Sequence, residues 1–167
     1  MVPAPEFIDP LLLAEQAKNL AGHLELSILP SLNDILIDCD RTLQYQLEFS
    51  ISAQGIIYIK GKYSVILNLI CQRCLYSFDK QLQNKISIGL VRDKQQAEQL
   101  SVQFEPLILT SEQLSLHELI EDEILLGIDI APVHKIDECP AKELILHTST
   151  QKHNPFEMLK EFKVKKD

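Results

Sequence analysis

Two runs of alternating apolar and polar residues flank Cys71, Gln72, Arg73 and Cys74, and they restrict the fold more than any other feature of the chain. Before the cysteines, Ile57, Ile59, Tyr63, Val65, Leu67 and Leu69 share one parity; after them, Tyr76, Phe78, Leu82, Ile86, Ile88 and Leu90 share the other. A period of two is the pattern of a strand with one dry and one wet face. The two cysteines therefore fall at the turn of a hairpin, with both thiols able to face one object. A metal ion, a thiol-disulfide couple, a structural disulfide or coincidence would each account for such a pair.

The same period runs through Leu43, Tyr45, Leu47, Phe49 and Ile51, and Ala53, Gln54 and Gly55 make a tight turn into the next strand. Gly61 interrupts that second strand and reads as a bulge or bend. The result is a three-stranded antiparallel meander over 43–91. Consecutive strands joined by short connections disfavour a parallel βαβ architecture. The expected fold class is α+β: an antiparallel sheet or partly closed barrel with helices packed on it.

One helix opens at Asp9 and Pro10, a side-chain cap followed by a proline where no N–H is needed. Its expected stripe is Leu13, Ala14, Ala17, Leu20 and Ala21, with Gly22 as the stop. Leu24, Leu26 and Ile28 then alternate as a short strand ended by Pro30, and Ser31 could cap one or two further turns. Residues 93–100 are polar enough for a short exposed helix, and Leu107, Ile108 and Leu109 follow Pro106 as an edge strand. Ser115 and Glu118 form a capping-box pattern ahead of Leu116, Leu119, Ile120 and Ile124. Glu118, Glu121 and Asp122 are expected on the solvated face of that helix, because catalytic carboxylates need burial or a charge partner. A loop follows from Ala131, then a polar linker at 147–153. Asn154 and Pro155 cap a short last helix bearing Phe156 and Leu159, ahead of a basic tail with Lys160, Lys163, Lys165 and Lys166.

The 167 residues suffice for one domain with its own core, and no run is long and apolar enough to span a bilayer. The N-terminus lacks the basic and apolar regions of a secretory signal, so a cytoplasmic, membrane-free protein is expected. In that compartment a disulfide framework is disfavoured, which leaves metal ligand, redox pair and unrelated thiols for the cysteines. The net charge of −8 provides no global attraction for nucleic acid. Contact with RNA is expected only through the basic tail. No phosphate-cradling glycine loop or nucleophile-elbow serine is present, so no enzyme activity is expected.

His134 and Cys139 supply a second close pair of soft ligands beside Cys71 and Cys74. Zinc commonly takes two such pairs from two loops, and four protein ligands would close the site to water and substrate. These four residues are the candidate metal site, with zinc the candidate ion. Cys39 stands apart as a small core residue.

In order along the chain come Cys71 to Cys74 with Phe78; Val91 and Arg92; Gln96, Ala97 and Glu98; Phe104, Glu105 and Pro106; and Glu121, Asp122, Glu123 and Ile124. Pro132, Val133, His134, Cys139 and then Asn154, Pro155 and Phe156 complete the set. This ordered set resembles the YceD-like large ribosomal RNA subunit accumulation proteins, closely from about Cys71 onward and loosely before it. The resemblance implies a bacterial cytoplasmic factor needed for normal accumulation of large-subunit ribosomal RNA, with no assigned enzyme activity. Many relatives carry extra cysteines after the position of His134, whereas this chain offers one histidine and one cysteine. Two mechanisms are consistent with what the resemblance implies and with the residues. In the first, an acidic, non-enzymatic factor binds a basic ribosomal or assembly protein through complementary charge. In the second, Cys71 and Cys74 act as a thiol-disulfide oxidoreductase. Redox pairs draw a low-pKa thiolate from a helix N-terminus, and a hairpin turn offers none.

Overall fold

The computed structural model describes residues 4–143, so the linker, last helix and basic tail expected beyond 147 lie outside the described residues. The meander is present as β3 (Thr42–Ile51), β4 (Ile57–Ile70) and β5 (Ser77–Val91), all antiparallel. Leu43, Tyr45, Leu47 and Phe49 are buried while the residues between them face solvent, as the period of two requires. Gly55 adopts φ +79 in the first turn, a left-handed conformation that suits glycine.

Two further strands widen the sheet to the order β2-β3-β4-β5-β6, with β2 spanning Asn19–Glu25 and β6 spanning Glu105–Ile108. β6 runs parallel to β5, reached through the short helix α2 (Lys94–Gln99) that Asp93 caps, and Pro106 sits in this edge strand. The sheet is mixed α+β architecture's open form: β2 and β6 do not pair, so the barrel alternative is not adopted. A two-residue ribbon pairs β1 (Phe7–Ile8) with β7 (Leu114–Ser115) and ties the N-terminal segment to the start of the long helix.

The first helix is shorter than its apolar spacing suggests. α1 spans Pro10–Glu15 only, capped by Asp9. Ala17 turns left-handed at φ 45, and Lys18 N–H reaches back to the Leu13 carbonyl at 2.9 Å, a Schellman ending. Leu20, Ala21 and Gly22 consequently belong to β2, not to the helix. Leu24 belongs to that strand, which ends at Glu25, while Leu26 and Ile28 enter a 3₁₀ turn rather than continuing it. Leu26, Leu29 and Leu32 are fully buried at a spacing of three, the period of 3₁₀ turns. Ser31 lies inside the second turn (Pro30–Leu32), whose cap position is Leu29. Tyr76 precedes β5 and is exposed despite its parity.

Gly61 is neither bulge nor bend. Leu47 pairs with it on one side and Ile86 on the other, without a break in either register. A β-carbon at this position would lie 2.2 Å from the Gln46 carbonyl oxygen and 2.7 Å from Leu47 Cδ2, so its role is close approach of two strands.

α3 (Leu116–Gly127) starts at Ser115, whose Oγ accepts from Glu118 N–H at 3.2 Å. Leu116, Leu119, Ile120 and Ile124 seal the inner face of the sheet together with Tyr63, Leu67 and Leu82. Tyr63 donates its hydroxyl to the Glu123 carbonyl at 2.6 Å, which fixes the helix over β4. Glu121 departs from the solvated face that Glu118 and Asp122 occupy. It is buried, and Oε1 accepts from Ser31 N–H at 2.6 Å, anchoring the helix to the 3₁₀ segment.

Candidate metal centre

The long strands β4 and β5 end at the Cys71 to Cys74 turn, as their alternation predicts. Cys71 N–H donates to the Tyr76 carbonyl at 3.0 Å and Leu75 N–H to the Cys71 carbonyl at 2.9 Å. Leu75 takes φ 63, unusual for a bulky residue and the signature of a turn held by its surroundings. The second pair arrives on the loop that follows α3. Gln72 N–H donates to the Pro132 carbonyl at 2.9 Å, and the Arg73 guanidinium donates to the His134 carbonyl. These contacts bind the loop to the turn before any ligand atom is considered. A 3₁₀ turn (Ile136–Glu138) then brings Cys139 inward, its N–H on the Ile136 carbonyl at 3.3 Å.

The ligand atoms of Cys71, Cys74, His134 and Cys139 all lie within 4.8 Å of one another, close enough to hold a metal ion. Cys74 Sγ and His134 Nδ1 are 3.4 Å apart. A tetrahedral zinc site has sulfur–sulfur edges of about 3.8 Å and sulfur–nitrogen edges of about 3.5 Å, from its bond lengths. The cluster is near that size. Cys71 and Cys139 are buried and the other two half-buried, with the Phe78 ring against the imidazole at a centroid distance of 4.6 Å.

The electrostatics suit a cation. Burial pushes the Cys71 thiol up, but backbone N–H groups of Cys74, His134 and Arg73, with the His134 ring, outweigh it and hold the thiol at about 5. Cys74 is raised, by burial first and then by Cys71 and Cys139, against one N–H from Tyr76. Three sulfurs in one volume cannot all ionise without an opposing charge. A divalent ion bound here would supply that charge, with three thiolates and one imidazole as its ligands.

Cys39 lies outside the cluster, partly buried at the edge of the core, its thiol raised by burial and then by Asp38 and Asp40. Arg73 and Phe78 complete the surroundings of the site; nothing in the sequence assigned Arg73 its role, since its contact depends on where the distant loop folds.

Among the described residues, an open mixed sheet carries one long helix clamped on it, and a thiol–imidazole cluster joins its longest hairpin to the following loop; these features define the class of domain. The model of the family described as Large ribosomal RNA subunit accumulation protein YceD matches residues 59–163, a segment that contains all four cluster residues. The chain belongs to this family. A Haemophilus influenzae protein named Large ribosomal RNA subunit accumulation protein YceD is 26% identical over 171 residues, covering 98% of each chain. The match begins ahead of Cys71, so β4 is included in full but for its first residues. No solved structure matches the chain.

Proposed function

We propose that this protein is a non-enzymatic cytoplasmic factor that supports accumulation or processing of large-subunit ribosomal RNA by binding a basic ribosomal or ribosome-assembly protein. In this reading Cys71, Cys74, His134 and Cys139 hold one structural zinc ion. The observation that carries it is the family match spanning the cluster, together with the printed name of the Haemophilus influenzae relative. Zinc, when bound, neutralises the thiolates and braces the β4–β5 turn against the loop after α3. Four protein ligands leave no open position for water or substrate, which favours a brace over a catalyst. The net charge of −8 favours a basic protein partner, and the tail lysines Lys160, Lys163, Lys165 and Lys166 supply a local contact for RNA. No helix among the described residues is long and apolar enough to cross a membrane.

The lowered Cys71 thiol is also what a thiol-disulfide oxidoreductase would use. Cys71 is fully buried, however, and its turn joins two strands instead of opening a helix. Metal ligation calls for the same ionised thiolate, and it accounts for the third sulfur and the imidazole as well.

Affinity capture from bacterial extract, with and without ribonuclease, tests the reading. Ribosomal or assembly proteins of the large subunit should be retained after ribonuclease. Enrichment of neither these proteins nor large-subunit precursor RNA would refute it.

A further inference from the structure

The outer face of the sheet carries a cationic patch that the sequence disperses and the strand register assembles. Lys60 and Lys62 are two apart on β4, and Lys62 pairs directly with Lys85 on β5. All three are exposed. Residues two apart on a strand are separated by about 6.8 Å, and directly opposite β-carbons by about 5 Å. Lys60 Nζ lies 5.0 Å above the Phe104 ring, and Glu48 faces Lys60 in register. Lys62 and Lys85 form no ion pair among the described residues.

A like-charge pair directly opposite in a sheet destabilises it. Lysines at sheet edges commonly deter edge-to-edge pairing, and that explanation fits Lys85, beside which β6 does not extend. It does not fit Lys62, because β4 is hydrogen-bonded on both sides. Beside Lys62 the surface forms a shallow trough of about 380 Å³ lined by Gly22, Gln44, Gln46, Ser64 and Gln83. Among its lining residues Gln44, Gln46, Gln83 and Ser64 bring amides and a hydroxyl, and none brings a carboxylate; these groups can donate to phosphate and sugar oxygens. Tyr58 is stacked under Phe104 at 4.1 Å, so the face offers no free aromatic platform for bases.

Resting on the ribosomal RNA reading above, we infer that this face binds the phosphate backbone of single-stranded RNA through Lys62 and Lys85, with Lys60 at the margin. Binding without base stacking is tolerant of sequence and sensitive to salt. The tail is then one of two RNA contacts.

Fluorescence anisotropy of a labelled single-stranded RNA of mixed sequence, titrated with the full chain between 50 and 200 mM salt, reads the contact. Lys62→Gln with Lys85→Gln should weaken binding at least about tenfold at the low-salt end and reduce the logarithmic salt slope by about 1.4, two phosphate contacts at 0.7 each. Its melting temperature should hold or rise, since the substitution relieves repulsion and cannot be mistaken for unfolding. A second full-length variant with Lys160, Lys163, Lys165 and Lys166 changed to glutamine should keep the part of binding that depends on Lys62 and Lys85. Absence of RNA binding, or binding indifferent to Lys62→Gln and Lys85→Gln, would overturn the inference. So would a polyglutamate competitor that binds as tightly with the same lysine dependence, which would assign the face to an acidic protein. Co-sedimentation with large-subunit precursors, retained when RNA binding is absent, would show that this surface inference alone had failed; its loss from the unaltered protein would fault the function reading beneath it.

Discussion

Gly61→Ala adds one methyl group at the most crowded point of the sheet. The new β-carbon would stand 2.2 Å from the Gln46 carbonyl oxygen and 2.7 Å from Leu47 Cδ2. The oxygen belongs to a β3 backbone held in register on both sides, so it cannot swing away as the end of a side chain would. Overpacking of this kind costs about 1–3 kcal/mol, with a backbone contact at the upper end. The alanine also narrows the unfolded ensemble, which returns about 0.4–1 kcal/mol. Gly61 does not need a left-handed φ, so no dihedral penalty is added. The net loss is about 1–2.5 kcal/mol, or roughly 2–10 °C of melting temperature for a domain this size. Calorimetric melting would read it, with Gly55→Asn as a control. At Gly55 nothing lies within 4 Å of the added carbon, and asparagine bears the φ of +79 at less cost than other side chains, so only a smaller dihedral penalty remains. A Gly61→Ala protein that melts at or above the parent would refute the close-approach account and restore the bulge, where an alanine is easily housed.

Ser115→Ala removes the acceptor for Glu118 N–H and should cost about 1 kcal/mol, a fall of roughly 2–4 °C by circular dichroism. Glu123 is pushed up to about 6, by burial first and then by Glu105 and Asp122. A raised carboxyl favours the folded state below its unfolded value near 4.5, and that contribution disappears as pH rises through 6. Glu123→Gln should therefore stabilise the protein at pH 7.5 by at most about 1 kcal/mol, allowing for solvent screening of a half-exposed group, with the gain vanishing below about pH 4.5. Denaturant melts across that range would show a constant difference if Glu123 titrated normally.

The meander was legible because each of its strands has one dry face, and alternation records that directly. Leu20 and Ala21 misled because apolar residues fit a helical stripe and a strand equally, and Gly22 reads as a helix stop although it lies inside β2; the left-handed turn at Ala17, which an alanine does not advertise, decided between them. The Leu26, Leu29, Leu32 spacing carried its own period of three, hidden by an apparent alternation through Ile28. Glu121 looked solvated because its partner, Ser31 N–H, is far away in sequence. The candidate ligands were legible as two short-spaced pairs, since ligand spacing is local chemistry. Their convergence was not, because it depends on the Pro132 carbonyl meeting Gln72 N–H. The Lys62 and Lys85 juxtaposition was invisible for the same reason: only the β4–β5 register creates it.

Zinc-edge X-ray absorption on full-length protein, purified without chelator and paired with metal quantification, tests the central claim most directly. The account predicts one zinc per chain, bound by three sulfurs at about 2.3 Å and one nitrogen at about 2.0 Å. Cys71→Ser should lower zinc content and melting temperature together, while β3 amides stay protected from hydrogen exchange because the core cluster beneath them does not include the cluster cysteines. Protein that is fully folded, free of metal and unchanged in stability by Cys71→Ser would contradict it.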